Sequence, residues 1–358
     1  MIKLFEPHIS DAEINATKSV LKSKFWASGS GINKVEHFEK SFGKYVGAKE
    51  TIAVNSGSAA LHLGLSLFEL KNKEVLVPSL TFVSTVHAIL QNGAKPVFID
   101  VEPNTLCIDP ADVEKRISRR TAAIIPVHFG GMPSNLKKLK KLSLTYKIPI
   151  IEDAAHASGS NYDSKKIGSH SDIVCFSFHP VKNLAMPTGG AICINKNSKK
   201  LKTILNSKRW CGITNRKGHY YDVDKMGWNY YMNEISASIG LVQLKKLDKL
   251  NQFRKKIAKK YFNELNVKFK MPFSKNCSYH LYWIRVNNRK QFMKKMKSKG
   301  IETGIHYNPV HLMTFYKQYS KILPITEKVS NELVSLPIHP NMTCKDVDKV
   351  ISSVNNII

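Results

Sequence analysis

Lys182 lies in a turn between two apolar runs, 172–176 and 190–194, that have the composition of buried strands. A lysine held beside a core loses hydration, so its amine is more easily neutral and nucleophilic than a surface amine. Such an amine can condense with a carbonyl group. Because the chain has 55 lysines and arginines, the alternative for Lys182 alone is a surface lysine of a hairpin loop.

Two further polar residues end apolar runs close to Lys182 in the sequence. Asp153 closes the run 149–153, and Ser177 follows the run that precedes the lysine. A carboxylate at the mouth of a sheet needs a partner, and a protonated pyridine nitrogen would be one. The alternative is that Asp153 caps a helix.

The turn at 55–58 separates an apolar run from a helical segment and contains Gly57 and Ser58. Free N–H groups at the start of a helix suit a phosphate, and Ser58 adds a hydroxyl. The alternative is a serine that only caps the helix. Phe82, after the next run, could stack on an aromatic ligand or belong to the core.

The elements that position these residues follow a repeating pattern of short Val- and Ile-rich runs and amphipathic segments. This pattern predicts a mostly parallel sheet covered by helices on both faces, in which ligands bind beyond the carboxyl ends of the strands. The predicted strands are 51–55, 74–78, 96–100, 122–127, 149–153, 172–176 and 190–194, and the predicted helices between them are 58–70, 82–92, 110–117 and 134–146.

The candidate residues therefore meet at one edge of one sheet. A phosphate turn, an aromatic ring, a carboxylate, a serine and a lysine are what pyridoxal 5′-phosphate requires: a helix start for its phosphate, a stacking partner, a charge for its ring nitrogen and an amine for its aldehyde. The joint pattern is more specific than any of its parts.

Composition bounds the class of protein. Hydrophobic residues make up 42% and charged residues 23%, which is typical of a globular domain. No apolar run approaches the roughly 18 residues of a membrane span, and no signal-peptide core is recognisable, so we expect a cytoplasmic protein without a membrane partner. The six dispersed cysteines predict reduced thiols and no metal site.

The net charge of +28 is the unusual property of the composition. Lysines lie mostly in helical stretches such as 137–141, which indicates solvated helix faces, and we expect no nucleic-acid partner. A polyanion site is the alternative. A basic surface would also attract an anionic small substrate.

Before the sheet, helices are predicted at 11–24 and 33–46, with a glycine- and serine-rich turn at 24–31 between them. After it, a long helix is predicted at 232–264, a strand at 280–286, and helices at 289–299 and 344–356. We predict a large cofactor-binding domain, 1–245, and a small C-terminal α/β domain, 246–358.

The sequence resembles the DegT/DnrJ/EryC1/StrS aminotransferases, a family of fold-type I pyridoxal-phosphate enzymes that mostly aminate keto sugars attached to nucleotides. The resemblance covers nearly the whole chain. It is carried by the segments 56–61, 78–82, 152–157, 176–182, 227–235, 304–311 and 335–340.

The resemblance implies a role for each matching residue. Lys182 binds the cofactor aldehyde, Asp153 pairs with the ring nitrogen, and His156 lies near the 3-hydroxyl. The remaining expected contacts are the phosphate contacts of Gly57, Ser58, Ala59 and Ser177, the ring contact of Phe82, Asn229 reaching the phosphate of a neighbouring subunit in a homodimer, and the substrate contacts of His306, Tyr307 and His311. Glutamate is the expected amino donor, and a nucleotide-linked keto sugar the expected acceptor.

Two positions depart from the family pattern. Pro187 and Thr188 stand where the family usually has Gly and Glu, and Tyr231 stands where it usually has Arg. Both adjoin the expected sugar side of the pocket. Two alternatives therefore remain: amination of a cyclitol or another non-nucleotide ketone, and a basic binding protein without activity on the same fold.

Overall fold

The computed structural model describes residues 1–27 and 32–358, so residues 28–31 of the predicted turn 24–31 lie outside the described residues. The helices are α1 Asp11–Ser23, α2 Lys34–Val46, α3 Gly57–Leu65, α4 Val83–Gln91, α5 Pro110–Arg116, α6 Leu136–Tyr146, α7 Ser198–Lys208, α8 Glu234–Glu264, α9 Arg289–Ser298, α10 Pro324–Glu332 and α11 Cys344–Asn355. The strands are β1 Glu50–Val54, β2 Glu74–Pro78, β3 Lys95–Ile99, β4 Thr121–Ile124, β5 Ile151–Asp153, β6 Asn161–Tyr162, β7 Lys165–Lys166, β8 Ile173–Ser177, β9 Gly190–Ile194, β10 Ile213–Lys217, β11 Tyr220–Val223, β12 Tyr282–Arg285 and β13 Leu333–Leu336.

Seven strands form the central sheet in the order β3-β2-β4-β5-β8-β9-β1. Hydrogen-bonded ladders join β3-β2-β4 and β5-β8-β9-β1. Parallel bridges from Ile124 to Ile150 and from Val127 to Asp153 connect the two halves. Strand β9 pairs antiparallel with both β8 and β1, and the other pairings are parallel. The predicted mostly parallel seven-stranded sheet is confirmed.

Helices cover both faces of this sheet. Along β8, Ile173 and Cys175 belong to an apolar cluster that includes α3, whereas Val174 and Phe176 belong to a second cluster that includes α2. Successive residues of a strand point to opposite faces, so a strand buried on both faces has to be apolar throughout. This explains the unbroken apolar runs in the sequence.

The predicted helices and strands occur, with shifted ends. The largest difference is α3, which was predicted to reach residue 70 but ends at Leu65. Beyond it the N–H of Phe68 donates to the carbonyl of Leu65, only three residues back, so the α-helical pattern is lost there. The predicted domain boundary after residue 245 falls inside the continuous helix α8 and stays a prediction. Among the described helices, none is both long and apolar enough to cross a bilayer.

Residues 2–8 lie across the C-terminal part of the chain, and we call this segment the strap. The N–H of Ile2 donates to the carbonyl of Gly300 at 2.8 Å, and the N–H of Glu302 donates to the carbonyl of Ile2 at 2.9 Å. The N–H of Leu4 donates to Glu302 Oε2 at 2.9 Å. The strap is therefore fixed by contacts with residues nearly 300 positions later in the sequence.

Candidate active site

A cavity of about 430 Å³ lies at the edge of the sheet where the parallel strands end. Most of the predicted site residues line it, although they come from widely separated segments. These residues are Gly57, Ser58, Phe82, Asp153, His156, Ser177, Lys182, His306 and Tyr307.

Lys182 lies in the connection between β8 and β9. The first residue pair of this connection is closed by the N–H of Phe178, which donates to the carbonyl of Gly189 at 2.8 Å. Lys182 Nζ lies 3.4 Å from Nε2 of His280. Burial lowers the pKa of Lys182 to about 8, and the nearby charge of Asp153 only partly opposes this. Lys182 is thus a partly buried lysine facing a cavity and not a surface residue of a loop.

Asp153 ends β5 and is only 4% exposed. Its Oδ2 accepts a hydrogen bond from Oγ1 of Thr85 at 2.8 Å, and its Oδ1 accepts one from the N–H of Ala155 at 3.0 Å. Burial raises the pKa of Asp153, while these two donors and Lys182 hold it down. No helix begins after Asp153, so it is not a helix cap.

A buried pair supports Asp153 from behind. Nε2 of His128 lies 2.8 Å from Oε2 of Glu152, and the N–H of Ser134 donates to Nδ1 of His128 at 3.0 Å. Because Nδ1 accepts a hydrogen bond, Nε2 must carry the proton and donate it to Glu152. The N–H of His128 also donates to the carbonyl of Asp153, which fixes the end of β5.

The start of α3 faces the cavity. The cap is Ser56 and not Ser58, because Oγ of Ser56 accepts from the N–H of Ala59 at 3.1 Å. The first intrahelical bond runs from Ala60 to Ser56, so the N–H groups of Gly57 and Ser58 precede the helical ladder and are available to an anion.

Two glycines allow this close packing of α3 against the sheet. A Cβ at Gly57 would lie 2.6 Å from Cβ of Ser177, and a Cβ at Gly190 would lie 2.3 Å from the carbonyl oxygen of Ser56. Only glycine fits at these distances. The start of α3 and the serine at the end of β8 therefore form one polar cradle.

Neutral rings form another wall. Nε2 of His156 lies 3.1 Å from the hydroxyl of Tyr307, and Nδ1 of His156 accepts from the N–H of Gly130 at 3.3 Å. Burial lowers the pKa of His306 to about 4, and it lowers the pKa of His156 well below its ordinary value. Phe82 is 54% exposed on this wall, which excludes the alternative that it belongs to the core.

Three predicted residues do not line the cavity. Ala59 is 3% exposed and its N–H is already bonded to the cap of α3. His311 is fully buried, with Nδ1 2.6 Å from Oγ of Ser79 and Nε2 3.3 Å from Glu327. Asn229 is exposed outside the cavity of its own chain.

The sequence did not predict three residues that contact the site. Thr85 holds Asp153, His280 contacts Lys182, and Phe5 of the strap lines the cavity. Thr85 lies within α4, one turn after Phe82. The sequence could have indicated it, because polar residues that follow the end of a parallel strand, here β2, lie at the ligand edge of the sheet. Phe5 and His280 reach the site only through long-range packing.

The residues present fit pyridoxal 5′-phosphate. The cradle of α3 and Ser177 offers N–H and hydroxyl donors to a phosphate, and the buried carboxylate of Asp153 would pair with a positive ring nitrogen. Lys182 supplies an amine whose pKa is already lowered for attack on an aldehyde. The donor set is therefore complete for this group.

Comparisons with known proteins agree with this assignment. The sequence model of the DegT/DnrJ/EryC1/StrS aminotransferase family matches residues 7–355. MJ1066 of Methanocaldococcus jannaschii, an uncharacterized protein, is 36% identical over 376 residues, which covers 99% of this chain and 97% of that protein.

Solved structures share the fold over the same length. The sugar aminotransferase CalS13 from Micromonospora echinospora has 28% identity and a TM-score of 0.92, with 99% of this chain and 100% of that chain covered. Spr1654 from Streptococcus pneumoniae has 27% identity and a TM-score of 0.93, with 99% and 97% covered, and it has been solved in apo, pyridoxal-phosphate (PLP) and pyridoxamine-phosphate (PMP) forms.

Proposed function

We propose that this chain transfers the amino group of glutamate to a keto sugar, most naturally one linked to a nucleotide. The chain belongs to the DegT/DnrJ/EryC1/StrS aminotransferase family and is an aminotransferase that uses pyridoxal 5′-phosphate. The observation that carries the proposal is that Lys182, Asp153 and the start of α3 line one cavity. CalS13, with the same fold, is a sugar aminotransferase.

We assign the cofactor contacts as follows. Lys182 would carry the cofactor covalently, Asp153 would pair with its ring nitrogen, and His156 would face its ring hydroxyl. The N–H groups of Gly57 and Ser58, with Ser177, would hold the phosphate. Phe82, half exposed on the cavity, would lie against the ring.

The chemistry divides between the cofactor and the chain. When bound, pyridoxal 5′-phosphate accepts the electron pair released at the α-carbon of the amino donor. Lys182 Nζ, once free, would take the proton from that α-carbon as a general base and deliver it, as a general acid, to the aldehyde carbon of the cofactor. A pKa near 8 suits both directions of transfer at neutral pH. Asp153, as a buried carboxylate, favours a positive charge on the ring nitrogen.

The acceptor would bind against the wall of neutral rings. His306 and Tyr307 offer hydrogen-bonding groups suited to the hydroxyls of a sugar, and Pro187 and Thr188 line the same cavity. His311 is not included because it lies in the core. We further infer that two copies of the chain pair so that Asn229 of each reaches the phosphate site of the other.

A second acceptor class is favoured by the charges of the cavity. Among the described residues that line it, Lys182 is the one lysine or arginine. A diphosphate is held best by such groups. Amination of a cyclitol or another ketone without a nucleotide is therefore the second candidate.

The test is the absorbance spectrum of the purified protein with and without glutamate. We expect a visible band from bound cofactor that glutamate removes with formation of one equivalent of 2-oxoglutarate, and a loss of covalent cofactor attachment in Lys182→Ala. Keto-sugar nucleotides and cyclitol ketones are then compared for the rate at which they restore the band. An unchanged spectrum with glutamate would refute the proposed donor reaction.

A further inference from the structure

The strap carries Phe5 into the catalytic cavity, and hydrogen bonds hold the strap before and after Phe5. Before Phe5, the carbonyl of Lys3 lies 3.1 Å from Nε2 of His339. After Phe5, the carbonyl of Pro7 accepts from Nδ2 of Asn341 at 3.2 Å. Anchors on both sides fix the backbone that presents the ring, so its place at the cavity is built by the fold.

Phe5 packs directly on His280. Their rings are stacked, with centroids 5.3 Å apart and planes 16° apart. The imidazole also contacts the ring of His156, at a centroid distance of 4.4 Å and an interplanar angle of 42°. Phe5 also meets the edge of His306 at 5.5 Å. His280 is therefore packed against two rings, and it is 2% exposed.

The contact between His280 and Lys182 has a defined direction. A lysine ammonium can only donate hydrogen bonds, so Nε2 of His280, 3.4 Å away, must accept. The imidazole must be neutral to accept, and burial together with the charge of Lys182 holds the pKa of His280 well below its ordinary value. The distance is long for a hydrogen bond, as catalytic contacts often are before substrate binds.

We propose that His280 is a positioning residue for the amine of Lys182, and that Phe5 of the strap holds the His280 imidazole in the orientation that makes this contact. The proposal rests on the proposed function, because the amine of Lys182 needs a fixed position while it is not bonded to the cofactor and moves the proton of the donor. It does not depend on which ketone is aminated.

Other charged and titratable groups also face this pair and have to be constant in any test. Around Lys182 they are Asp153, His156, His179 and His306, and around His280 they include His156, His306 and Arg254. Every variant used below leaves these groups in place.

The first experiment measures Lys182 itself in the full-length apoprotein. Acetic anhydride labels neutral amines, so the labelling rate of the Lys182 peptide, followed by mass spectrometry between pH 6 and 10, gives its apparent pKa. We expect a value near 8 in the wild type. In His280→Leu the ammonium loses its acceptor, and we expect the value to fall by about one pH unit. His280→Gln, whose side-chain oxygen can accept, is expected to restore it.

Phe5 is tested with a matched pair. Phe5→Ala removes the stacked ring and is expected to lower the apparent pKa of Lys182 in the same direction as His280→Leu. Phe5→Leu retains apolar bulk over the imidazole and is expected to stay closer to the wild type. Thermal unfolding of each apoprotein identifies a variant that fails to fold. If His280→Leu or Phe5→Ala fails, the apparent pKa of Lys182 in His280→Gln and Phe5→Leu tests the proposal.

The second experiment follows the holoenzyme with glutamate by absorbance. We expect the rate constant of the half-reaction to fall by roughly ten- to a hundred-fold in His280→Leu, with little change in the glutamate concentration that gives half the maximal rate. An unchanged apparent pKa in His280→Leu, or His280→Gln matching His280→Leu in both experiments, would overturn the proposal. A wild type that does not react with glutamate would instead refute the proposed function, because the labelling of Lys182 does not depend on the donor.

Discussion

Replacing Lys182 by methionine should stabilise the apoprotein while abolishing its activity. Burial lowers the pKa of Lys182 from 10.5 to about 8, so the folded state disfavours the ammonium relative to the unfolded state. At about 1.4 kcal/mol for each pH unit between these two values, the folded apoprotein at pH 7 is destabilised by about 3 kcal/mol. Methionine has similar length and no charge, so Lys182→Met removes this destabilisation.

The sign of the pH dependence follows from the lowered pKa. Between pH 8 and pH 10.5 the unfolded chain binds more protons at Lys182 than the folded chain, so the wild type gains stability as the pH rises. The advantage of Lys182→Met should therefore shrink from about 3 kcal/mol at pH 7 to about 1.5 kcal/mol at pH 9.5.

Urea unfolding of the two apoproteins at both pH values measures this difference. The matched control is Lys140→Met at an exposed position of α6, for which we expect no comparable gain. If Lys182→Met is no more stable than the wild type at pH 7, or if its advantage is the same at pH 9.5, then burial does not act on this lysine as argued.

Three further predictions concern the groups around the lysine. Asp153→Asn should retain the fold but lose about 10²–10³-fold in kcat, and near-normal turnover in a steady-state assay would exclude its assigned role. Thr85→Val removes a donor that lowers the pKa of Asp153, so the acid limb of the kcat–pH profile should move to higher pH; an unmoved limb would contradict this. Gly190→Ala places a methyl 2.3 Å from the carbonyl oxygen of Ser56, so equilibrium dialysis should show weaker cofactor binding and urea unfolding a loss of about 1–3 kcal/mol. If Gly190→Ala bound the cofactor with wild-type affinity, the start of α3 would have shifted without disturbing the phosphate site.

The sheet and much of the cavity could be predicted from the sequence because they follow a local rule. Parallel strands end at one edge, so Asp153, Ser177 and the start of α3 had to come together wherever the strand ends were recognised. The ends of the strands had to be predicted to within only one or two residues. The length of the apolar runs gives that precision when both faces of a strand are buried.

The rest of the cavity depends on packing that no local pattern encodes. His306 and His311 lie five residues apart in one segment, yet the first lines the cavity and the second is buried against Ser79. Side-chain direction in an irregular segment is set by its tertiary contacts. Phe5 and His280 were missed for the same reason, since their contact joins the strap to the segment just before strand β12.

The anchors of the strap also set the order in which this protein can mature on the ribosome. The carbonyl of Lys3 bonds to His339, 336 residues later in the chain. At typical synthesis rates of about 5–20 residues per second, roughly 20 to 70 s separate the appearance of these two residues. The cofactor cradle is built from residues 56–190, so it can fold in the later part of that interval, while the wall that contains Phe5 cannot yet be in place. The wall that contains Phe5 is therefore the last part of the cavity to be completed during synthesis, after the cradle and after Lys182.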